Sequence, residues 1–183
     1  MLSLQKVLAI KKIKTELEDL KTNKLDFINS IELKNENNFF EWLLSIKAPE
    51  DTPYSGGLFY LKIVFPDNYP HHRPEACFIT PIYHTDVLGK KFDSCNEHLG
   101  HICIPYLHFW KPENTMKQVL NNIYQIFYSG SADHPYDIEK NMEFMENKKL
   151  YEEKIKYFTK KYADSSKPFK EYDSNWDFSY DSK

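Results

Sequence analysis

The sequence predicts an α+β domain in which helices flank an antiparallel sheet. A helical repeat of apolar residues opens the chain, four β-rich segments separated by proline, glycine and polar residues follow, and helical repeats return after Pro112. Segregation of helices from strands in this order is typical of α+β architecture. The 183 residues, 41% hydrophobic and 16% aromatic, suit one domain of ordinary size.

The composition argues against several classes of protein. The three cysteines, Cys77, Cys95 and Cys103, are odd in number and lack the spacing of a disulfide framework. No apolar run approaches the roughly 18 residues of a membrane span or follows a basic start as in a signal peptide. The formal charge of -3 argues against nucleic-acid binding, which needs a concentrated basic face. We therefore expect a soluble protein of a reducing compartment, cytoplasmic or nuclear.

The first element is predicted to be an amphipathic helix from residue 3 to about residue 22. Apolar residues recur at steps of three and four, namely Val7, Ile10, Ile13, Leu17 and Leu20. The first half of the helix is basic, because Lys6, Lys11, Lys12 and Lys14 precede any acidic residue. Such a run is most often a solvated helix face, and a docking site for an acidic partner is the sharper alternative.

Four strands of a meander are predicted between residues 24 and 80. They are rich in aromatic and β-branched residues and cover 25–33, 39–48, 58–65 and 76–80. Gly56 and Gly57 supply a turn, and the prolines of 66–70 end the third strand because proline cannot donate to a ladder. Residues 81–112 contain no convincing regular element. So long an irregular segment indicates function or a compact irregular fold.

Helices return after Pro112. Asn114 or Thr115 can cap a helix that ends near residues 129–130, and a last helical pair covers 137–162. On that pair we expect the apolar side chains to be core, namely Met142, Met145, Leu150, Ile155 and Phe158. The final residues, from Asp164, carry many aromatic side chains among acidic ones, which indicates that they pack back on the domain or dock on a partner.

Cys103 is the candidate for chemistry, because it lies between two isoleucines, shortly after Gly100 and just before Pro105. Its thiol is either a small buried hydrophobe or a nucleophile held at the lip of a groove by an irregular loop. A coil cysteine in this frame is an odd way to fill a core, so the nucleophile is favoured. A zinc site is a third interpretation, with ligand types that suit tetrahedral coordination but spacings shorter than common fingers have: Cys95, His98, His101 and Cys103.

Several motifs taken together resemble the ubiquitin-conjugating enzyme family, from about Ala9 to Ala163. They are Tyr-Ser-Gly-Gly-Leu-Phe at 54–59, Phe-Pro-Asp-Asn-Tyr-Pro at 65–70, Tyr-His at 83–84, Gly-His-Ile-Cys at 100–103, Trp-Lys-Pro at 110–112 and Phe-Thr-Lys-Lys-Tyr at 158–162. The resemblance implies a UBC-like fold over 1–163 with a tail at 164–183. It implies a monomeric transferase whose Cys103 accepts ubiquitin, or a ubiquitin-like modifier, as a thioester from an activating enzyme. No cofactor is implied, because the activating enzyme uses the ATP.

The resemblance also implies roles for the residues before the cysteine. The family usually has His-Pro-Asn where this chain has His84-Thr85-Asp86, and the asparagine is thought to steady the active loop and the oxyanion. An ionised Asp86 would repel that developing charge, so attack by lysine should be impaired. His84 is expected to be structural, with its ring bonding within its own loop. An inserted loop around Gly89 to Glu97 separates this motif from Cys103.

Two positions imply the acceptor, and others imply the partners. Pro105 and His134 replace the acidic residues of members that discharge onto lysine, so the chain resembles the cysteine-restricted subgroup that serves HECT and RBR ligases. Partner-binding residues implied by the resemblance are Lys11 and Lys12 on the first helix, His71 in its loop, and Lys111 and Pro112. The alternative function is a non-catalytic relative that binds ubiquitin or a cargo adaptor while Cys103 is vestigial.

Overall fold

A computed structural model gives the arrangement of most of the chain. It describes residues 3–33, 38–89, 99–129, 135–166 and 176–180. Among these residues, no helix is both long enough and apolar enough to cross a membrane. The elements follow one another as expected for an α+β fold, with one helix before the sheet and the remaining helices after it.

The first helix, α1, covers Leu4–Thr22, and Ser3 caps it by accepting the Lys6 N–H at 3.2 Å. Its buried face consists of Ala9, Ile13, Glu16, Leu17 and Leu20. Val7, the first residue of the apolar repeat, is 48% exposed, and burial begins two residues later, at Ala9. The presence of a glutamate on this face is a feature that apolar periodicity does not reveal.

The predicted meander is confirmed. Strands β1 (Ile28–Leu33), β2 (Glu41–Lys47), β3 (Leu58–Val64) and β4 (Glu75–Phe78) form one antiparallel sheet in the order β1-β2-β3-β4. Alternate residues of β3 are buried, as the period of two requires. One hydrophobic core lies between this sheet and the helices, and Trp42, Phe59 and Phe78 are among its large side chains.

The described parts of the segment 81–112, residues 81–89 and 99–112, contain more regular structure than the sequence predicts. A four-residue helix, α2, covers Pro105–His108, and single bridges join Cys77 to His101 and Val87 to Ile102. The expectation of no regular element is therefore wrong at 105–108. Four residues are too few to show a helical period, whereas the fixed φ of Pro105 at the first helical position suits a helix start.

Thr115 begins α3 (Met116–Gln125) through a capping box with Gln118, and a 3-10 turn over Ile126–Tyr128 follows. Helices α4 (Ile138–Glu146) and α5 (Lys148–Tyr162) form the predicted pair. Placing Met142 and Met145 in the core was wrong, since they are 53% and 71% exposed. The face of α4 that is covered carries Lys140, whose Nζ lies 3.0 Å from Asp137 and over the Phe178 ring.

Residues 176–180 pack back on the domain. The Trp176 side chain is 4% exposed and belongs to the hydrophobic core, while Phe178 lies edge-on to the ring of Phe158 on α5. Asp177 pairs with Lys161 at 3.1 Å and accepts the Tyr162 hydroxyl at its backbone oxygen. Aromatic side chains of this segment therefore complete the surface of α5.

Candidate active site

The segment that carries Cys103 is held on both sides by backbone hydrogen bonds. Gly100 accepts the Phe78 N–H and donates to Leu88, both at 2.8 Å, and the Cys103 N–H donates to the Asp86 carbonyl at 2.9 Å. Gly100 has φ +81, and a Cβ there would lie 1.8 Å from the Phe78 oxygen. Glycine is therefore required for this segment to lie against the end of the sheet.

Cys103 is partly exposed to solvent, while the buried isoleucines on either side of it anchor the backbone. Ile102 and Ile104 are 1% and 4% exposed, whereas Cys103 is only partly buried. Cys77, in contrast, is 3% exposed and lies in β4. The arrangement gives Cys103, but not Cys77, the access that a nucleophilic thiol needs.

His84 is a neutral ring buried behind the cysteine loop. Its Nδ1 accepts the Asp86 N–H at 2.9 Å, and its Nε2 lies 2.9 and 3.0 Å from the carbonyl oxygens of Ile126 and Ser129. Carbonyl oxygens only accept, so the proton is on Nε2. Burial lowers the pKa of His84, in keeping with this tautomer. The ring thus joins its own loop, as expected, and also the end of the 3-10 turn.

Asp86 is connected to Cys103 through its backbone carbonyl. Its carboxylate accepts the Thr85 hydroxyl at 3.2 Å and is 6% exposed as a residue. Burial raises the pKa of Asp86, and the hydrogen bond from the Thr85 hydroxyl acts in the opposite direction. Because Nδ1 of His84 carries no proton, its 3.9 Å approach to the carboxylate is not an ion pair.

A residue that the sequence did not single out lies next to the thiol. His108, at the end of α2, has its Nε2 3.3 Å from the Cys103 Sγ, and its side chain is on the surface. The signal in the sequence was weak: Pro105 as a helix start and a histidine one turn further on. Only the helical conformation of 105–108 returns that ring to the cysteine.

Of the two positions implied for the acceptor, only Pro105 belongs to the described residues. It is exposed at the first position of α2, directly after Ile104 and close in the chain to Cys103. It presents an uncharged ring without an N–H. His134 lies outside the described residues, as does most of the inserted loop around Gly89 to Glu97.

The two lysines singled out on α1 differ in their surroundings. Lys11 is exposed, whereas Lys12 Nζ lies 2.9 Å from an oxygen of Glu16, a residue that is 5% exposed. Glu16 also accepts the Tyr69 hydroxyl at 3.2 Å and the Met116 N–H at 3.0 Å. The expectation that both lysines are simply exposed helix charges is wrong for Lys12, because it compensates a buried carboxylate.

The other predicted partner-binding residues lie on neighbouring loops. His71 is exposed in the loop after β3, and Lys111 and Pro112 are exposed in the loop before α3. Trp110 joins the two loops, since its indole N–H donates to the Pro70 carbonyl at 2.8 Å. The same loop after β3 is joined to α1, because Asp67 pairs with Lys6 at 2.8 Å. The structure thus brings these three segments side by side.

The zinc-site interpretation rests in part on residues beyond those described. Cys95 and His98 fall outside, while the His101 ring lies 2.8 Å from the Tyr136 hydroxyl and is buried. Within the described part of the chain, no group of three or more His, Cys, Asp or Glu side chains is arranged to hold a metal ion.

Comparisons with known proteins agree with this geometry. The family model described as "Ubiquitin-conjugating enzyme" matches residues 12–159. A probable ubiquitin-conjugating enzyme E2 31 of Arabidopsis thaliana is 33% identical over 133 residues, 72% of this chain and 80% of its own. The ubiquitin-conjugating enzyme E2-18 kDa of Drosophila melanogaster is 31% identical over 158 residues, 85% of this chain and 96% of its own. The crystal structure of a candidate ubiquitin conjugating enzyme from Plasmodium yoelii superposes with a TM-score of 0.72 at 31% identity, covering 85% of this chain and 95% of that one.

Proposed function

Because this chain belongs to the ubiquitin-conjugating enzyme family and is therefore a transferase, we propose that Cys103 carries ubiquitin or a ubiquitin-like modifier as a thioester and passes it to a ligase cysteine. The observation that carries the proposal is the Cys103 segment. Backbone hydrogen bonds and two buried isoleucines hold it, while the thiol stays accessible. Exchange of a modifier between two thiols needs an exposed, well-positioned sulfur more than a base, because a thiolate is intrinsically nucleophilic.

The preference for a cysteine acceptor is supported by what surrounds the thiol. A lysine acceptor must lose a proton, with a reference pKa near 10.4, and its attack builds negative charge on the thioester oxygen. Pro105 offers no charge to attract or deprotonate an ammonium group, and an ionised Asp86 disfavours the oxyanion. Attack by a thiol depends less on a base to deprotonate the acceptor and on a group that stabilises the oxyanion. We therefore assign the chain to the cysteine-restricted type that serves HECT and RBR ligases.

The surface formed by α1 and the two loops beside it is the proposed docking face for partners. Lys11 on α1, His71, and the Lys111-Pro112 pair are exposed there. Lys12 lies on the same helix, but its ion pair with Glu16 means that it also stabilises the fold. We propose that the activating enzyme and the ligase use this face in turn, that the protein acts as a monomer in the cytoplasm or nucleus, and that it needs no cofactor of its own.

Charging tests the proposal directly. The chain is incubated with an activating enzyme, ATP and each candidate modifier, and a band that reducing agents remove indicates a thioester. Cys103→Ser should give a reductant-stable oxyester or no adduct, while Cys77→Ser and Cys95→Ser should charge normally. Loss of charging in Cys95→Ser alone would overturn the choice of nucleophile. Binding of ubiquitin without any adduct would favour the non-catalytic alternative, which the His-Thr-Asp motif at 84–86 supports.

Discharge tests the acceptor. The charged protein should lose its modifier quickly to the amino acid cysteine and slowly to the amino acid lysine near neutral pH. Asp86→Asn, combined with acidic residues at positions 105 and 134, should raise the lysine rate more than the cysteine rate. Equal discharge of the unmodified protein to both amino acids under matched conditions would contradict the assignment.

A further inference from the structure

We propose that His108 is a second catalytic residue of this chain, which takes the proton of the Cys103 thiol and so prepares the thiolate that attacks the incoming thioester. The proposal rests on the proposed function of Cys103 as the modifier carrier. The observation that carries it is the 3.3 Å distance between His108 Nε2 and Cys103 Sγ, within hydrogen-bond range for sulfur. His108 touches the reacting atom directly.

The position of His108 is fixed by the fold of α2. Pro105 begins this helix, and the Phe109 N–H closes its turn on the Pro105 carbonyl at 2.9 Å. Leu107 is fully buried, and the Tyr106 hydroxyl donates to Gln118 of α3 at 2.8 Å. These contacts hold the backbone of α2 against α3, so that the side chain of its last residue returns toward the cysteine.

The proton and electron balance of the loading step is simple. Neutral His108 accepts the S–H proton at Nε2, leaving a thiolate on Cys103 beside an imidazolium ring. The thiolate attacks the thioester carbonyl on the activating enzyme, the new sulfur–carbon bond forms, and the old one breaks. The departing thiolate of the activating enzyme takes up a proton, which the imidazolium supplies. No oxidant, reductant or metal enters the step.

Among the described residues, three ionisable groups that adjoin the cysteine segment or α2 have hydrogen-bond partners of their own. Both ring nitrogens of His84 are hydrogen bonded, and the Asp86 carboxylate bonds to Thr85, while its carbonyl accepts the Cys103 N–H. The Tyr106 hydroxyl bonds to Gln118, and burial raises the pKa of this tyrosine, so that it stays neutral. The His108 imidazole is within hydrogen-bond range of the sulfur.

The test measures alkylation of Cys103 by iodoacetamide in the full chain without modifier or activating enzyme. Peptide-resolved mass spectrometry reports Cys103 separately from the other cysteines, from about pH 6 to about pH 10, a range that spans the ordinary thiol pKa of about 8.5. His108→Gln keeps a hydrogen-bonding side chain but cannot take the proton. His72→Gln, which removes another exposed histidine, is the matched control.

A base beside the thiol has a signature that a structural residue lacks. A base that holds the thiol proton makes the thiolate more abundant at pH 7, while each thiolate becomes somewhat less nucleophilic. The wild type should then alkylate severalfold faster than His108→Gln at pH 7. Above about pH 9 the order should reverse, because both thiols are ionised and the variant's thiolate is the stronger nucleophile.

The outcomes separate this proposal from the proposed function. The wild type and His108→Gln are first shown to be folded by their thermal midpoints. Coincident plots of the Cys103 alkylation rate against pH for the two proteins would then overturn the role of His108, even if the chain charges normally. Crossing profiles in a protein that no modifier charges would support the thiol–imidazole pair and overturn the carrier function instead. Equal changes in His72→Gln would show that the effect is not specific and would overturn the proposal.

Discussion

Charge reversal at Lys12 and at Lys11 should have different consequences, although the two lysines are adjacent on α1. Lys12 Nζ lies 2.9 Å from Glu16, whose side chain is 5% exposed and also accepts the Tyr69 hydroxyl and the Met116 N–H. Burial and the nearby carboxylate raise the pKa of Tyr69, so its phenol remains a donor. Glu16 therefore joins α1 to the loop after β3 and to the start of α3.

The expected magnitude follows from this burial. The Lys12 side chain is 33% exposed, so solvent screens part of the pair, and removing its charge should cost about 1 kcal/mol. Lys12→Glu adds repulsion beside a carboxylate that cannot move into water, which brings the total to about 2–4 kcal/mol. Each kcal/mol lowers Tm by about 2–4 °C in a chain of this size, so Tm should fall by about 5–15 °C. Lys11→Glu makes the same change of net charge at an exposed position and should alter stability by less than about 0.5 kcal/mol.

Thermal and urea unfolding of the two variants provide the comparison, with Lys12→Gln as the intermediate case. Equal midpoints for Lys11→Glu and Lys12→Glu would refute the account of Glu16 as a buried group that Lys12 compensates. Lys11→Glu should also slow charging by the activating enzyme in a salt-dependent way, because exposed charges govern association rates. If Lys11→Glu is charged as fast as the wild type, with the same dependence on salt, this face of α1 is only solvated.

Three further outcomes are expected from the structure. Burial lowers the pKa of His84, so at low pH the unfolded chain binds a proton that the folded protein does not. The free energy of unfolding should therefore fall by up to about 1.4 kcal/mol per pH unit as the pH drops below about 6.5. Urea unfolding of His84→Gln should lack this contribution, and parallel plots of unfolding free energy against pH for the variant and the wild type would contradict it. Trp176→Ala should lower the free energy of unfolding by about 3–5 kcal/mol, because the indole is 4% exposed. Ser179→Ala, in the same segment, should change it little. Similar urea midpoints for the two variants would mean that this segment contributes nothing to the core. Gly100→Ala should destabilise the protein by more than about 2 kcal/mol and reduce charging, because its Cβ would lie 1.8 Å from the Phe78 oxygen. Gly56 has a similar φ of +77 but nothing within 4 Å of an added Cβ, so Gly56→Ala should cost only about 1 kcal/mol. Equal effects of the two substitutions in urea unfolding would argue against the close approach at Gly100.

Local patterns determined the order and type of the main elements. The predicted strands at 39–48 and 58–65 correspond to β2 and β3, and the predicted helix at 3–22 corresponds to α1. Periods of 2 and 3.6 arise because one side of each strand or helix faces a core, whatever that core contains. The frame around Cys103 likewise needed only residue types: a glycine for a close backbone approach and isoleucines as anchors.

Long-range contacts decided the rest. Periodicity shows that a helix has a covered face but not which other segment covers it, so it missed the burial of Glu16 and the exposure of Met142 and Met145. Glu16 is buried because Met116, a hundred residues later in the chain, supplies a donor to its carboxylate. Trp176 fills the core because it meets the residues around Gly100, to which no local pattern connects it.

The candidate site divides in the same way. The sequence determined that Cys103 is the thiol to consider, because the motif around it is continuous in the chain. The tertiary structure decided that His84 is a neutral structural ring, that Lys12 compensates Glu16, and that His108 contacts the sulfur. The physical reason is that proton positions, burial and a 3.3 Å contact depend on how α2, α3 and the cysteine segment pack together, and residue spacing along the chain does not specify that packing.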